Sequence, residues 1–237
     1  MKRILVVTSG ALFVRGGHLT IAEETAAALR RAGYVSEVLV TPQNRFGRQL
    51  SAYAATALTD VGMAADGQPV DQVISLRFPS YAVRHSRHVC WLNHRMREYY
   101  DLWEGLVRRL GRRDRLKERL RRQLFHALDR FLLTRNVTRL LAQSKTIQAG
   151  LGRFGGIPSE VLYPPAPERP YRTEAYGDYI FAVSRLTPLK RMDLLVEAAA
   201  RVKDTRLSFK IAGEGEEAPR LRERISALGL EGRVELL

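Results

Sequence analysis

"YIFAVSRLTPLKRMDLLVEAAARVK", Tyr179–Lys203, changes its period midway. Tyr179–Ser184 is a short apolar run suited to a buried strand. From Arg191 onward apolar residues return at three- and four-residue steps, as on one face of a helix. Arg185 and Lys190 lie in the loop between. The same grammar repeats at once, with a strand "LSFKIAG" (Leu207–Gly213), a helix "EAPRLRERISALG" (Glu217–Gly229) and a strand "RVELL" (Arg233–Leu237). Strands alternating with helices predict a parallel sheet.

Working back towards Met1, the pattern recurs. "RILVVTS" (Arg3–Ser9) predicts a strand, followed by a loop with Gly10, Gly16 and Gly17, a helix over Thr20–Gly33 closed by its glycine, and a strand over Ser36–Pro42. Further strands are predicted at Gln72–Phe78, His88–Leu92, Arg139–Ser144 and Glu160–Pro165. Helices are predicted over parts of Met96–Leu110, Lys117–Leu133 and Thr146–Phe154. Tyr163–Asp178 holds four prolines and reads as a linker. Three strands and two helices after it make about half of a doubly wound sheet.

The bulk composition excludes several classes. With 45% hydrophobic and 27% charged residues the 237-residue chain is an ordinary globular protein. No apolar run is long enough to span a membrane, and "MKRILVVTSG" reads as a strand rather than a leader. The single cysteine, Cys90, sits in apolar "VCWL" and reads as a core filler in a reducing compartment. A net charge of +14 points to polyanionic partners: nucleic acid, anionic lipid or phosphorylated small molecules. No nucleic-acid recognition motif accompanies the charge, so a nucleic-acid partner is not expected. Much of the excess lies in Arg108–Arg122. The surrounding "LVRRLGRRDRLKERLRRQLFHALDRFLL" (Leu106–Leu133) is apolar at helical steps. Its apolar stripe is expected to pack on the domain rather than in a bilayer, leaving the cations solvated or facing nucleic acid, acidic phospholipid or pyrophosphate-linked lipid.

The candidate chemistry sits after strands. Arg185 and Lys190 follow a strand's C-terminal end and precede a helix N-terminus. There two cations and free backbone N–H groups can seat a diphosphate, or simply be solvated. Gly213 and Gly215 in "IAGEGEEAPRL" allow a tight turn, the plainer reading, or close approach of a ligand. Gly16, Gly17 and His18 occupy the loop after the first strand. Asn93 and His94 follow the apolar strand "HVCWL". His94 can hydrogen-bond a sugar hydroxyl or transfer a proton near neutral pH, or be structural. His85-x-x-His88 has no third ligand nearby, and no Asp-x-Asp is present, so no metal is expected.

In order and spacing, Ser184-Arg185-Leu186, Lys190, Asp193-Leu194-Leu195, Ala212-Gly213-Glu214-Gly215 and Leu228-Gly229-Leu230 resemble glycosyltransferase family 4 (group 1), of GT-B fold. Gly16-Gly17, "WLNHRMREYYDLW" (Trp91–Trp103), "LLAQSKTIQAGLGRFGG" (Leu140–Gly156) and "VLYPP" (Val161–Pro165) extend the likeness more loosely. The resemblance implies an α/β chain of two Rossmann-like doubly wound domains: an acceptor-side domain over 1–165, a linker over 166–178 and a donor-binding domain over 179–237. The second domain is only partly present, because the family's E-x7-E motif has no counterpart up to Leu237. The resemblance further implies a retaining transfer from a nucleotide-diphosphate sugar, GDP-mannose or a UDP-sugar, to a glycan or lipid-linked acceptor. No separate cofactor or metal is implied. Arg185 and Lys190 would grip the donor diphosphate, aided by Gly16, Gly17, Gly213 and Gly215. His18, Asn93 and His94 would serve the acceptor side, with His94, Arg185 and Lys190 taking part in catalysis. A front-face route, in which the departing phosphate helps deprotonate the acceptor, needs no enzyme nucleophile. The implied place is the cytoplasmic face of a membrane, reached through Arg108–Arg122. A non-catalytic module that binds anions or sugar nucleotides is the rival reading, and a nucleic-acid binder a weaker one.

Overall fold

The computed structural model describes residues 1–14 and 16–237, and the chain divides into two units, Met1–Glu168 and Arg169–Leu237. The first unit runs β1 (Arg3–Gly10), α1 (Gly17–Arg31), β2 (Val35–Pro42), α2 (Gln49–Ala57), β3 (Gln72–Ser75) and β4 (His88–Leu92). It continues through α3 (Trp103–Arg108), α4 (Arg112–Phe131), β5 (Arg139–Ala142), α5 (Lys145–Arg153) and β6 (Glu160–Val161). Its six strands are all parallel, in the order β2-β1-β3-β4-β5-β6. The chain leaves β1 on one side for β2 and returns to the other for β3. Loops therefore diverge between the C-terminal ends of β1 and β3, where such sheets leave a crevice. Val6, Val7 and Thr8 are fully buried because both sheet faces are covered.

Three readings are corrected. The helix α2 has no counterpart in the sequence reading, because its buried face carries Gln49 and Thr56 beside Ala52 and Tyr53, which weakens the apolar period. The strand predicted to reach Phe78 stops at Ser75, where Ser80 Oγ accepts the N–H groups of Leu76 and Arg77 (3.2 and 3.1 Å) and turns the chain.

The largest correction concerns α4. The apolar stripe packs on the domain only in part: Leu106, Phe125, Leu128, Leu132 and Leu133 join the core, and four others do not. Leu116, Leu120, Leu124 and Phe131 are 62, 62, 50 and 61% exposed, while Glu118 and Asp129 are buried. The cause lies in partners from distant segments. Tyr99 donates to Glu118 (2.6 Å), which also pairs with Arg121 (2.9 Å). Tyr53, Tyr81 (2.5 Å) and Tyr100 (2.6 Å) all donate to the Asp129 carboxylate. Phe125, on the same face as these two acids, stacks between Tyr53 and Tyr99. Burial pushes the Asp129 carboxyl upward, opposed by hydrogen bonds from Tyr100, Tyr53 and Tyr81. The helix is thus anchored by hydrogen-bonded acids and aromatic rings together with Leu128, and Leu116, Leu120 and Leu124 are left outside.

The second unit runs β7 (Tyr179–Val183), α6 (Met192–Arg201), β8 (Ser208–Ala212), α7 (Ala218–Ala227) and β9 (Val234–Leu236), with a parallel sheet ordered β7-β8-β9. Val196 and Ala199 of α6 and Leu221 and Ile225 of α7 share one core with Phe209, Ile211 and Val234, so both helices cover the same face. Ile180 and Ala182 pair in register with Phe209 and Ile211. Side chains alternate along a strand, so Tyr179, Phe181 and Val183 point to the other face, and all three are exposed. Lys210 bridges part of that face, 5.2 Å from the Tyr179 ring centre and 3.8 Å from Glu235.

On the covered face Ile180 too is exposed, and β7 is an edge strand, so it opens more readily than a central strand covered on both faces. Amide exchange followed by mass spectrometry is therefore expected to be faster by tenfold or more, in round terms, for β7 than for β1. Equal protection of the two strands would contradict this account.

Candidate functional site

In the second unit, β7 ends at Val183 and the chain passes through Ser184–Thr187, a 3-10 turn at Pro188–Lys190 and then α6. Backbone hydrogen bonds lash this loop to the one after β8. Ser184 N–H donates to Ala212 O (3.1 Å), Leu186 N–H to Glu214 O (2.8 Å), and Glu217 N–H to Leu186 O (3.0 Å). Leu186 is buried in the core, which holds the loop from below. The glycines make this possible. A Cβ on Gly213 would lie 1.9 Å from Ser184 O, and one on Gly215 would lie 2.2 Å from Leu186 O. Their φ values, 142° and 156°, also favour glycine. The close approach that these glycines permit is made by the backbone of the loop after β7, a contact between two loops rather than within one turn.

The latched loop presents Arg185 and Lys190, both exposed at the C-terminal edge of the sheet. Lys190 N–H closes the turn on Thr187 O (2.9 Å). Their neighbour Arg191 differs from them. It adopts a left-handed backbone (φ 52°, ψ 40°) and its guanidinium pairs with Asp193 at 3.1 Å, which holds the Asp193 carboxyl below its usual range. Among the described residues, neither Arg185 nor Lys190 forms an ion pair. They are thus available to an incoming anion, and Arg191 is not. A separate groove of about 450 Å³ beside α6 and α7 is lined by Asp193, Glu197, Glu217 and Glu223 together with Arg220 and Arg224, which pair with Glu217 (3.4 Å) and Glu197 (2.6 Å).

In the first unit, the C-terminal rim gathers His18, Asn93 and His94, with Gly16 and Gly17 at the start of α1. Gly16 is extended (φ −164°), and a Cβ there would meet His18 Nδ1 at 3.2 Å. Gly17 has nothing within 4 Å of its would-be Cβ among the described residues, so the first turn of α1 is open. No acid lies in that turn. Asn93 is held between strand ends. Its N–H donates to Leu76 O (2.6 Å) and its Nδ2 to Gln143 Oε1 (2.8 Å).

His94 Nδ1–H donates to Arg95 O (2.7 Å), which leaves the Nε2 lone pair as an acceptor. Burial, reinforced by the charges of Arg77, Arg97 and His18, pushes its pKa down to about 4. The ring is therefore neutral at physiological pH, able to accept a hydrogen bond from a hydroxyl or to take a proton in passing.

Arg77 escaped the sequence reading. It is 6% exposed, just past the end of β3, and its Nη2 donates to Gln43 Oε1 (2.9 Å). The available signal was a lone cation inside the apolar run "QVISLRF". Elsewhere, His85 and His88 use their rings on the chain itself. His85 bonds Val70 O (2.9 Å), and His88 bonds Asn136 O (3.1 Å) and Ser75 Oγ (2.8 Å). Burial pushes the Cys90 thiol up to about 12, in keeping with a core filler.

Residues 171–237 match the family described as glycosyl transferases group 1. A search of curated proteins finds no match. Among solved structures, the chain is similar to HepE from Anabaena in complex with UDP and glucose: 17% identity, TM-score 0.61, covering 100% of this chain and 69% of that one. It is similar also to WaaG, a glycosyltransferase involved in lipopolysaccharide biosynthesis (15%, 0.63, 98% and 69%). A third is the apo form of WaaB, a lipopolysaccharide outer core galactosyltransferase (15%, 0.60, 98% and 67%). The chain thus has the α/β fold of the GT-B glycosyltransferases, with Rossmann-like units. The resemblance read from Ser184–Leu230 holds where the family match lies.

Proposed function

We propose that this chain is a nucleotide-sugar glycosyltransferase whose second unit grips the donor diphosphate through Arg185 and Lys190. One observation carries the reading. A loop pinned by three backbone hydrogen bonds sets two cations, neither of them ion-paired among the described residues, at the ligand edge of a parallel sheet. Fixed positive charge placed where a diphosphate departs stabilises the negative charge that develops there. The likeness of fold to HepE, solved with UDP and glucose, supports a nucleotide sugar as donor.

On this reading the glycosidic C–O bond to the diphosphate breaks and the acceptor hydroxyl bonds the anomeric carbon on the same face, with retention. The departing phosphate oxygen receives the hydroxyl proton, so no enzyme nucleophile is needed. Neutral His94 hydrogen-bonds the sugar or the acceptor through Nε2. Asn93 and His18 act as positioning residues on that rim, and the open first turn of α1 at Gly17 admits a ligand. The acceptor is a glycan or a lipid-linked glycan met at the cytoplasmic face of a membrane, and catalysis is metal-independent.

Calorimetry of the 237-residue chain with UDP and with GDP tests the cradle. Arg185→Ala and Lys190→Ala are each expected to weaken binding by roughly tenfold or more, the loss that follows removal of a charge-assisted hydrogen bond. Both side chains are exposed, so the thermal midpoint should not move. Unchanged affinity in both variants would overturn the assignment. Transfer and donor hydrolysis, measured separately over a panel of sugar nucleotides, distinguish an enzyme from a module that only binds.

A further inference from the structure

We infer that the sugar accepted at the first unit's rim is acidic, its carboxylate or phosphate ester held by Arg77 and its hydroxyls by the amides of Gln43 and Gln49. The strand order β2-β1-β3 places β1 between the other two. Gln43 follows β2, and its N–H donates to Gly10 O at the end of β1 (3.1 Å). Arg77 follows β3, and its Nη2 donates to Gln43 Oε1 (2.9 Å). That bond therefore crosses the C-terminal end of β1, at the crevice where such sheets take their ligands. His94 joins the same edge, since its carbonyl accepts from the N–H of Phe78 (3.1 Å), one residue past Arg77. Gln49 opens α2, which leaves this edge after β2. One turn further on, Tyr53 rests its ring on Phe78, 5.1 Å between centres.

Gln49 is 2% exposed, yet neither its Oε1 nor its Nε2 has a hydrogen-bond partner among the described residues. A buried amide left in that state is costly, and a guest with hydroxyls relieves the cost at both ends. A hydroxyl both gives and takes a hydrogen bond, which suits an amide that offers a donor beside an acceptor. The sign of the guest follows from the charges at the edge. Those that weigh most on His94 come from Arg77, Arg97 and His18, all of one sign, and Arg97 is paired with Asp101 at 2.6 Å. A guanidinium that is 6% exposed, set among amides and a neutral imidazole, favours a carboxylate or phosphate over one more hydroxyl. The inference rests on the transferase reading in taking this rim as the acceptor side, but its residues are separate from Arg185 and Lys190. Loss of UDP binding would leave it standing, and loss of acidic-sugar binding would leave the phosphate cradle standing.

The test is titration of the full chain with glucose, glucuronate and glucose 6-phosphate, followed by NMR of its histidine rings, with UDP affinity measured alongside. At least one acidic sugar should bind roughly tenfold or more tightly than glucose, and the tighter of the two identifies the anion. Its binding should raise the His94 pKa from about 4, because a nearby negative charge favours the imidazolium. Arg77→Gln should bring the acidic sugars down to the affinity of glucose and leave UDP binding unchanged. Arg77→Lys keeps the charge without the fork and should retain part of the preference. Gln49→Leu should weaken all three sugars. The double variant Arg185→Ala, Lys190→Ala should leave their affinities as they are, which separates this site from the cradle. The inference fails if the parent binds glucose as tightly as both acidic sugars, or binds neither of these; both outcomes are read without any variant. It fails also if Arg77→Gln keeps the preference, if Gln49→Leu binds like the parent, or if the double variant abolishes acidic-sugar binding.

Discussion

Asp129→Ala is expected to remove about 3–5 kcal/mol from the stability of the first unit, the range for taking one partner from a buried hydrogen-bonded charge site. Tyr53, Tyr81 and Tyr100 all aim their hydroxyls at this one carboxylate, which is fully buried. Deleting it leaves three hydroxyls without their acceptor in a dry core. Tyr53 and Tyr81 keep only each other, at 3.3 Å. Burial has already pushed all three phenols upward in pKa, so none can compensate by ionising. Asp129→Asn should cost less, because the amide oxygen can still accept and the Tyr100 hydroxyl can turn to accept from the amide. Tyr100→Phe removes one donor and should cost about 1 kcal/mol. Urea unfolding followed by near-UV circular dichroism gives the three values. The order Ala, then Asn, then Phe from most to least damaging is the prediction, and an alanine variant as stable as the parent would refute it. Because α4 is anchored here, the alanine variant should also lose the helix's attachment to the domain.

Gly215→Ala should unfold the second unit's ligand edge and with it the diphosphate site. The added carbon would sit 2.2 Å from Leu186 O, against backbone that cannot swing aside as a long side chain can. To make room, the loop must give up the Leu186–Glu214 and Glu217–Leu186 hydrogen bonds, in a residue whose φ of 156° already disfavours alanine. Lost hydrogen bonds and backbone strain together suggest roughly 3 kcal/mol or more. Gly213→Ala, with 1.9 Å to Ser184 O, should do at least as much harm. Gly229→Ala is the control. Its φ is 64°, but nothing lies within 4 Å of the new carbon, so only the conformational penalty of about 1 kcal/mol applies. Melting of the variants, with UDP affinity measured on whatever remains folded, separates the cases. A Gly215→Ala protein that matches the control in both measurements would show that the latch does not position Arg185 and Lys190.

The cradle and the latch were legible to different degrees. Arg185, Lys190, Gly213 and Gly215 stand out in sequence because each follows a strand whose apolar run is unmistakable. Their assignment to one loop pair follows from βα order alone. What the glycines are for was not legible, since the atom nearest to Gly213 belongs to Ser184, on another strand's exit loop. His94 could be proposed as a hydrogen-bonding group. That it is neutral and keeps Nε2 as an acceptor depends on the Arg95 carbonyl and on the Arg77 charge brought in from the end of β3.

Local periodicity therefore determined the α/β alternation, the parallel sheets, the linker and the position of the candidate loops, because period is a short-range property written into consecutive residues. It could not determine which face of α4 turns inward. On apolar period alone the leucines belong inside. The outcome was decided by the hydroxyls of Tyr53, Tyr81 and Tyr100, 76, 48 and 29 residues away from Asp129, together with aromatic rings that fill the same space. A buried acid with three donors is tolerated and an exposed leucine costs little, but only the tertiary structure brings those donors to one carboxylate.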